Sequence, residues 1–172
     1  MTPRTFVLAT HNQHKAAEFE AILGAVGGSA AGAPDGGFHI VSYDGPEPIE
    51  DGASFTENAL IKARAAAAHT GLPALADDSG ICVDVLGGAP GIFSARWAGA
   101  ARSDSENVRL LLDQLADVRD ANRGAHFTCH IAVVIPATEH TPALEAVVSG
   151  NWPGQIAREV HGQNGFGYDP IF

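Results

Sequence analysis

Apolar and polar positions change period several times along the chain, and each change marks an element. Residues 5–9, Thr-Phe-Val-Leu-Ala, are a short apolar run between polar neighbours and predict a first buried strand. Ala16, Phe19, Ile22 with Leu23, and Val26 then recur at helical spacing and predict a helix, with Asn12 as a ready N-cap. Residues 24–37 are rich in Gly and Ala and predict a surface loop, and residues 39–43 predict a second strand. Ser54-Phe55-Thr56-Glu57 is a capping box, in which Ser54 accepts from the amide three residues on and Glu57 reaches back. It opens a helix that runs through a series of alanines to Thr70, where Gly71 and Pro73 stop it. Ala74-Leu75-Ala76 predicts the end of another buried strand, with Asp77 and Asp78 at its tip and Ser79-Gly80 turning the chain away.

Residues 81–86 predict strand or bend, and Gly87-Gly88-Ala89-Pro90-Gly91 a tight loop. Ser103-Asp104-Ser105-Glu106 is a second capping box, opening an amphipathic helix with Val108, Leu111, Leu112 and Leu115 inward. From 125 to 135 the pattern alternates strictly. Phe127, Cys129, Ile131, Val133 and Ile135 share one face, and His126 and His130 fall on the other, which is expected to be solvated. Residues 143–149 predict its hairpin partner and 155–160 a further strand. Strands separated by helices, followed by a hairpin, predict an α/β fold with a mixed sheet.

Composition narrows this picture. A chain of 172 residues with 45% hydrophobic content can bury a sizeable core and is not the composition of a disordered segment. Twenty Asp and Glu outweigh ten Lys and Arg, with no basic block, which argues against nucleic acid as a partner. An acidic protein that binds a polyanion needs local neutralisation, and that points to a divalent cation. Cys82 and Cys129 lie far apart without a Cys-x-x-Cys, as expected of reduced thiols in a cytoplasmic protein. The apolar run at 6–9 is too short for a signal peptide, and no stretch is long enough to span a membrane.

Candidate chemistry gathers at four places. Asp77 and Asp78 suit a metal ion or a proton-transfer site, and equally a turn that hydrogen-bonds its own backbone. The strand-loop-helix passage from Thr10 to Lys15 offers free amides, a dipole end and one cation to an anion, although it has no Gly-x-x-x-x-Gly-Lys. The loop 44–52 carries four acids in nine residues and is stiffened by Pro46 and Pro48; it can hold a carboxylate beside a metal or simply be a charged surface loop. Asn58 and Lys62 are four apart on one helical face. Ser79 lies in no Gly-x-Ser-x-Gly elbow, and the eight histidines show no paired metal spacing.

Several stretches together resemble one family, the inosine/xanthosine triphosphate pyrophosphatases. They are Thr10-His11-Asn12-Gln13-His14-Lys15, Ser54-Phe55-Thr56-Glu57-Asn58-Ala59 with Lys62, and Ala76-Asp77-Asp78-Ser79-Gly80. The run from Leu86 to Trp97, Trp152-Pro153-Gly154 and Gly165-Phe166-Gly167-Tyr168-Asp169-Pro170 complete the series, in the family's order. The resemblance implies an elongated α/β fold with a curved mixed sheet, flanking helices and two lobes around a central cleft. It also implies a homodimer that hydrolyses ITP, dITP and XTP to the monophosphate and pyrophosphate with Mg²⁺. In this reading Thr10, His11, Asn12, Gln13, His14 and Lys15 hold the triphosphate, and Lys15 and Lys62 counter its charge. Asp78 is metal ligand and catalytic base, Glu50 is a metal ligand, and Asp77 supports them. Ser79 contacts the substrate, and Phe166, Gly167, Tyr168 and Asp169 stack on and bracket the nucleoside. The family continues past the equivalent of Phe172 with a Ser-His-Arg segment and a helix, so the single domain expected over 1–172 is C-terminally incomplete. The competing readings are a nucleotide-binding fragment with little turnover, and a Maf-like pyrophosphatase acting on other nucleotides.

Overall fold

Strand β1, Arg4–Leu8, lies between β2, Phe38–Ser42, and β3, Ala74–Val83, and is parallel to both. Two longer strands, β4, Gly124–Ile135, and β5, Leu144–Gln155, complete a mixed five-stranded sheet in the order β2-β1-β3-β4-β5. Helices α1, Phe55–Thr70, and α2, Asp104–Gln114, flank it. The computed structural model describes residues 4–10, 19, 21–22, 38–162 and 165–172. Of the helix expected after β1, Phe19, Ala21 and Ile22 are helical, and the rest of that reading lies outside the described residues.

The capping boxes act as their sequences require. Ser54 Oγ accepts from the Glu57 amide at 3.2 Å, and Ser103 Oγ from the Glu106 amide at 3.4 Å. Gly71 ends α1 at φ 69°, a conformation that favours glycine, and donates to the Ala67 carbonyl.

The chain divides into two compact units. The first comprises Met1–Asp77 and His130–Val148. Its core sets Ala59, Ala63, Ala66 and Ala67 of α1 against Val7, Ala74, Ala76, Ala132 and Val134 of the strands. An alanine stripe at helical spacing contributes little area per residue, but it lets the helix axis sit close to the sheet. The second unit comprises Asp78–Cys129 and Ser149–Phe172. Ile81, Val83, Val108, Leu111, Leu115, Ile156, Tyr168 and Ile171 form its core.

Four expectations are corrected. The strand ahead of the aspartates does not end at Ala76, because β3 runs on through Asp77 and Asp78 to Val83. β1 pairs with β3 only as far as Leu75, so past the Asp pair the backbone finds its ladder partners on the β4 side, and the turn chemistry of Asp-Ser-Gly is not used. No strand forms over 155–160 beyond the end of β5. The backbone there is taken up by Arg123, whose buried guanidinium donates to the carbonyls of Ile156, Ala157 and Leu115 at 2.6–2.8 Å. Within residues 129–135, the most buried positions are Ala132 and Val134, on the face opposite the larger aliphatics, because that face meets the α1 alanines. His130 is only partly exposed and is held in place: its Nδ1 shares a 2.9 Å hydrogen bond with Thr56 Oγ1, and its ring stacks on Phe55 at 5.6 Å.

Trp152-Pro153-Gly154 lies inside β5. A proline is tolerated there because, among the described residues, β5 is the last strand of the order and carries no ladder on one side. A Cβ on Gly154 would come within 2.5 Å of the Phe172 ring, which packs edge-on against Trp152 and Phe127.

Candidate functional site

The parallel strands deliver the first elements. Ala9, just past β1, donates its amide to Leu75 of β3 at 2.7 Å, which continues the Val7↔Ala74 and Leu8↔Leu75 register. At Thr10 the chain bends, its amide donating back to the Leu8 carbonyl at 3.0 Å. The chain therefore leaves β1 at the carboxyl end of the parallel strands, where α/β sheets bind ligands. His11, Asn12, Gln13, His14 and Lys15 themselves lie outside the described residues.

Asp77 and Asp78 are 3% and 8% exposed, a degree of burial that carboxylates rarely reach without partners. Neither is left without one. Because β3 continues through them, alternation decides their directions. Asp78 falls on the face of β3 that carries Ala74 and Ala76, while Asp77 and the half-buried Ser79 fall on the face of Leu75. The two neighbouring acids therefore serve opposite sides of one strand.

The acidic loop is tied to α1. Lys62 Nζ pairs with Glu50 Oε1 at 3.0 Å, with side chains only 13% and 23% exposed. Asn58, one turn earlier on the same helical face and fully buried, accepts the Gly52 amide on Oδ1 at 3.0 Å. Glu57 accepts the Ala53 amide at 2.7 Å, so the arm that the sequence pattern assigns to the capping box reaches one residue further back. The first turns of α1 thus set both the backbone and the carboxylate of this loop.

The segment from Gly165 to Asp169 is shaped by its own acids and by α2. Asp169 accepts the Phe166 amide at 2.9 Å, and Asp104 in the first turn of α2 accepts the Gly167 amide at 3.1 Å. Tyr168 points into the core of the second unit and donates its hydroxyl to the Ser94 carbonyl at 2.9 Å. Burial, with Asp104 nearby, pushes its phenol well above the usual tyrosine range. Phe166 stays half-buried. Ser94 in turn accepts the Ile81 amide at 3.0 Å and donates to the Gly91 carbonyl at 2.6 Å, fixing the turn Gly91–Arg96 against β3.

Carboxylates at Glu50, Asp77 and Asp78 are hard oxygen donors. They are the type that Mg²⁺ takes one or two at a time, together with water and substrate phosphates. Among the described residues, no group of three or more His, Cys, Asp or Glu side chains is placed to hold a metal. Also among them, no helix is long and apolar enough to cross a membrane. Cys82 and Cys129 are free thiols, and burial raises the pKa of Cys82. Sequence reasoning placed Lys62 and Glu50 separately and did not foresee their pairing. It also missed the hold of Asn58 on Gly52, for which only the shared helical face with Lys62 was a signal.

A model described as the Ham1 family matches residues 6–172. The chain is 61% identical, over 96% of its length and 77% of the relative's, to a dITP/XTP pyrophosphatase of Leifsonia xyli subsp. xyli. It is 49% identical, over 96% of its length and 78% of the relative's, to one of Streptomyces avermitilis. Among solved structures, a HAM1 protein from Coxiella burnetii is similar with a TM-score of 0.81 and 42% identity, over 98% of this chain and 81% of that one. A nucleoside-triphosphatase / dITP/XTP pyrophosphatase from Mycobacterium abscessus gives 0.75 and 46%, over 98% and 80%.

Proposed function

The chain belongs to the Ham1 family, and from that premise we propose that it hydrolyses ITP, dITP and XTP to the nucleoside monophosphate and pyrophosphate, using Mg²⁺. The observation that carries this reading is the 61% identity, across 96% of the chain, to a dITP/XTP pyrophosphatase. The buried acid pair on β3 and the loop-to-helix ion pair supply chemistry of the kind it needs. The same relatives favour it over a Maf-like activity and over an inert fragment.

In this reading the bond between the α and β phosphates breaks as water attacks. Asp78 takes the proton of that water. Glu50 and Asp78 would hold Mg²⁺, and Asp77, on the other face of β3, would support them through the strand and not as a ligand. When bound, the ion polarises the phosphoryl oxygens and neutralises their charge. Lys62 and Lys15, with Thr10, His11, Asn12, Gln13 and His14, bind and orient the triphosphate, and positioning is most of what phosphoryl transfer asks of a protein. Ser79 contacts the substrate. Phe166 offers a stacking face to the purine, while Gly167, Tyr168 and Asp169 shape the strap that presents it. A cytoplasmic homodimer completes the reading.

The test is pyrophosphate release from ITP, XTP, ATP, GTP, UTP and dTTP, side by side, with Mg²⁺. Selective release from ITP and XTP is the expected result. ITP binding without release is the outcome for an inert fragment, and release from UTP or dTTP that for a Maf-like enzyme.

A further inference from the structure

The loop that carries Glu50 is held to α1 at successive points. Glu50 itself meets Lys62 at 3.0 Å, the Gly52 amide is held by Asn58 Oδ1 at 3.0 Å, and the Ala53 amide by Glu57 at 2.7 Å. The first of these is an ion pair between side chains that the proposed reaction needs elsewhere, Lys62 on the phosphates and Glu50 on the cation. It cannot be what places Glu50 once substrate is bound. The hold on Gly52 involves no group that the reaction uses. Asn58 is fully buried, and a Cβ on Gly52 would lie 2.6 Å from Asn58 Oδ1 and 2.8 Å from Glu57 Cβ, so the approach of loop to helix requires a glycine.

We infer that Asn58 is a positioning residue: its side-chain carbonyl fixes Gly52 and thereby sets where the Glu50 carboxylate stands for a divalent cation. The inference rests on the metal role proposed for Glu50. Groups that orient a metal ligand from behind typically change metal affinity by about 10–100-fold when removed. Asn58 acts at one remove, through two residues of a proline-stiffened loop.

The experiment measures Mn²⁺ binding directly, by electron paramagnetic resonance of free Mn²⁺, on the full chain with a non-hydrolysable purine triphosphate analogue present. Melting temperatures are recorded for every variant. Asn58→Leu keeps the branched outline of the side chain, favours the helix slightly more than Asn, and removes the acceptor. Gly52→Ala keeps Asn58 and forces the loop away, which serves if Asn58→Leu does not fold. Each is expected to weaken Mn²⁺ binding about 10-fold or more. Because both detach the same loop, the double variant is expected to lose no more than the worse single one. In turnover assays the half-saturating Mg²⁺ rises, while the nucleotide KM at saturating metal stays near wild type. Glu50→Gln separates the two layers of the argument. If it weakens Mn²⁺ binding while folded Asn58→Leu and Gly52→Ala bind as wild type, the positioning role falls and the metal role of Glu50 stands. If Glu50→Gln itself binds Mn²⁺ as wild type, the metal role falls and the inference falls with it.

Discussion

Asp78 is a carboxylate at 8% exposure inside a strand. A group kept ionisable at such a position is costly unless it is used or paired. Asp78→Asn keeps the shape and removes the base, so kcat for ITP is expected to fall by about 10²–10⁴-fold while the chain stays folded. Wild-type turnover in that variant removes Asp78 from the chemistry. Arg123 is the contrasting case: as buried as Asp77, and purely structural. It donates to three carbonyls, with burial lowering its pKa, and it closes the stretch that follows β5 onto the end of α2. Arg123→Met leaves those carbonyls unpaired and is expected to cost about 3 kcal/mol, read as a midpoint shift in urea unfolding. A shift below about 1 kcal/mol would mean that water takes over the three carbonyls.

At the scale of elements, β3 joins the buried aspartates to a turn packed on its far end. Gly80 is where that turn touches the strand, since a Cβ there would lie 2.5 Å from Ser94 Oγ and 2.6 Å from the Gly91 carbonyl oxygen. A hydroxyl can rotate away, but a backbone oxygen cannot. Gly80→Ala is therefore expected to cost about 1–3 kcal/mol of overpacking and to loosen Tyr168, which bonds to the Ser94 carbonyl. An unchanged unfolding midpoint would show that the turn yields freely. The same strand marks the limit of sequence reading. Both capping boxes, the stop at Gly71 and the strands around β1 were legible, because each is decided by a few neighbouring residues. Asp-Asp-Ser-Gly was misread as a turn, since its local preference is overridden by pairing with β4, which only the tertiary fold supplies. His130 was misread for a related reason: a polar residue opposite an aliphatic face looks solvated until a helix end packs over it. For the candidate site, the residue types were legible one by one. The ion pair of Glu50 with Lys62, and the hold of Asn58 on Gly52, were not, because they join a loop and a helix through geometry that no spacing encodes.

For the whole molecule, the dominant electrostatic fact is a formal net charge of −10 set against a polyanionic substrate. The few cations proposed for the phosphates act at contact distance, where salt screens little, whereas the net charge acts over tens of ångströms and is screened readily. The two therefore separate by ionic strength. At about 0.01 M salt the Debye length is roughly 30 Å, and the approaching nucleotide feels most of the acidic surface; at about 0.15 M it is roughly 8 Å, and that repulsion is largely gone while contact pairs persist. With Mg²⁺ saturating throughout, kcat/KM for ITP is expected to rise as salt increases across this range, through faster association, with kcat unchanged. Proteins whose long-range field attracts their ligand show the opposite slope. A kcat/KM that falls steadily with salt would mean that the local field of Lys62 and its neighbours outweighs the acidic surface even at long range. The assignment of substrate capture to contact-distance cations and a divalent metal would then have to give way to steering.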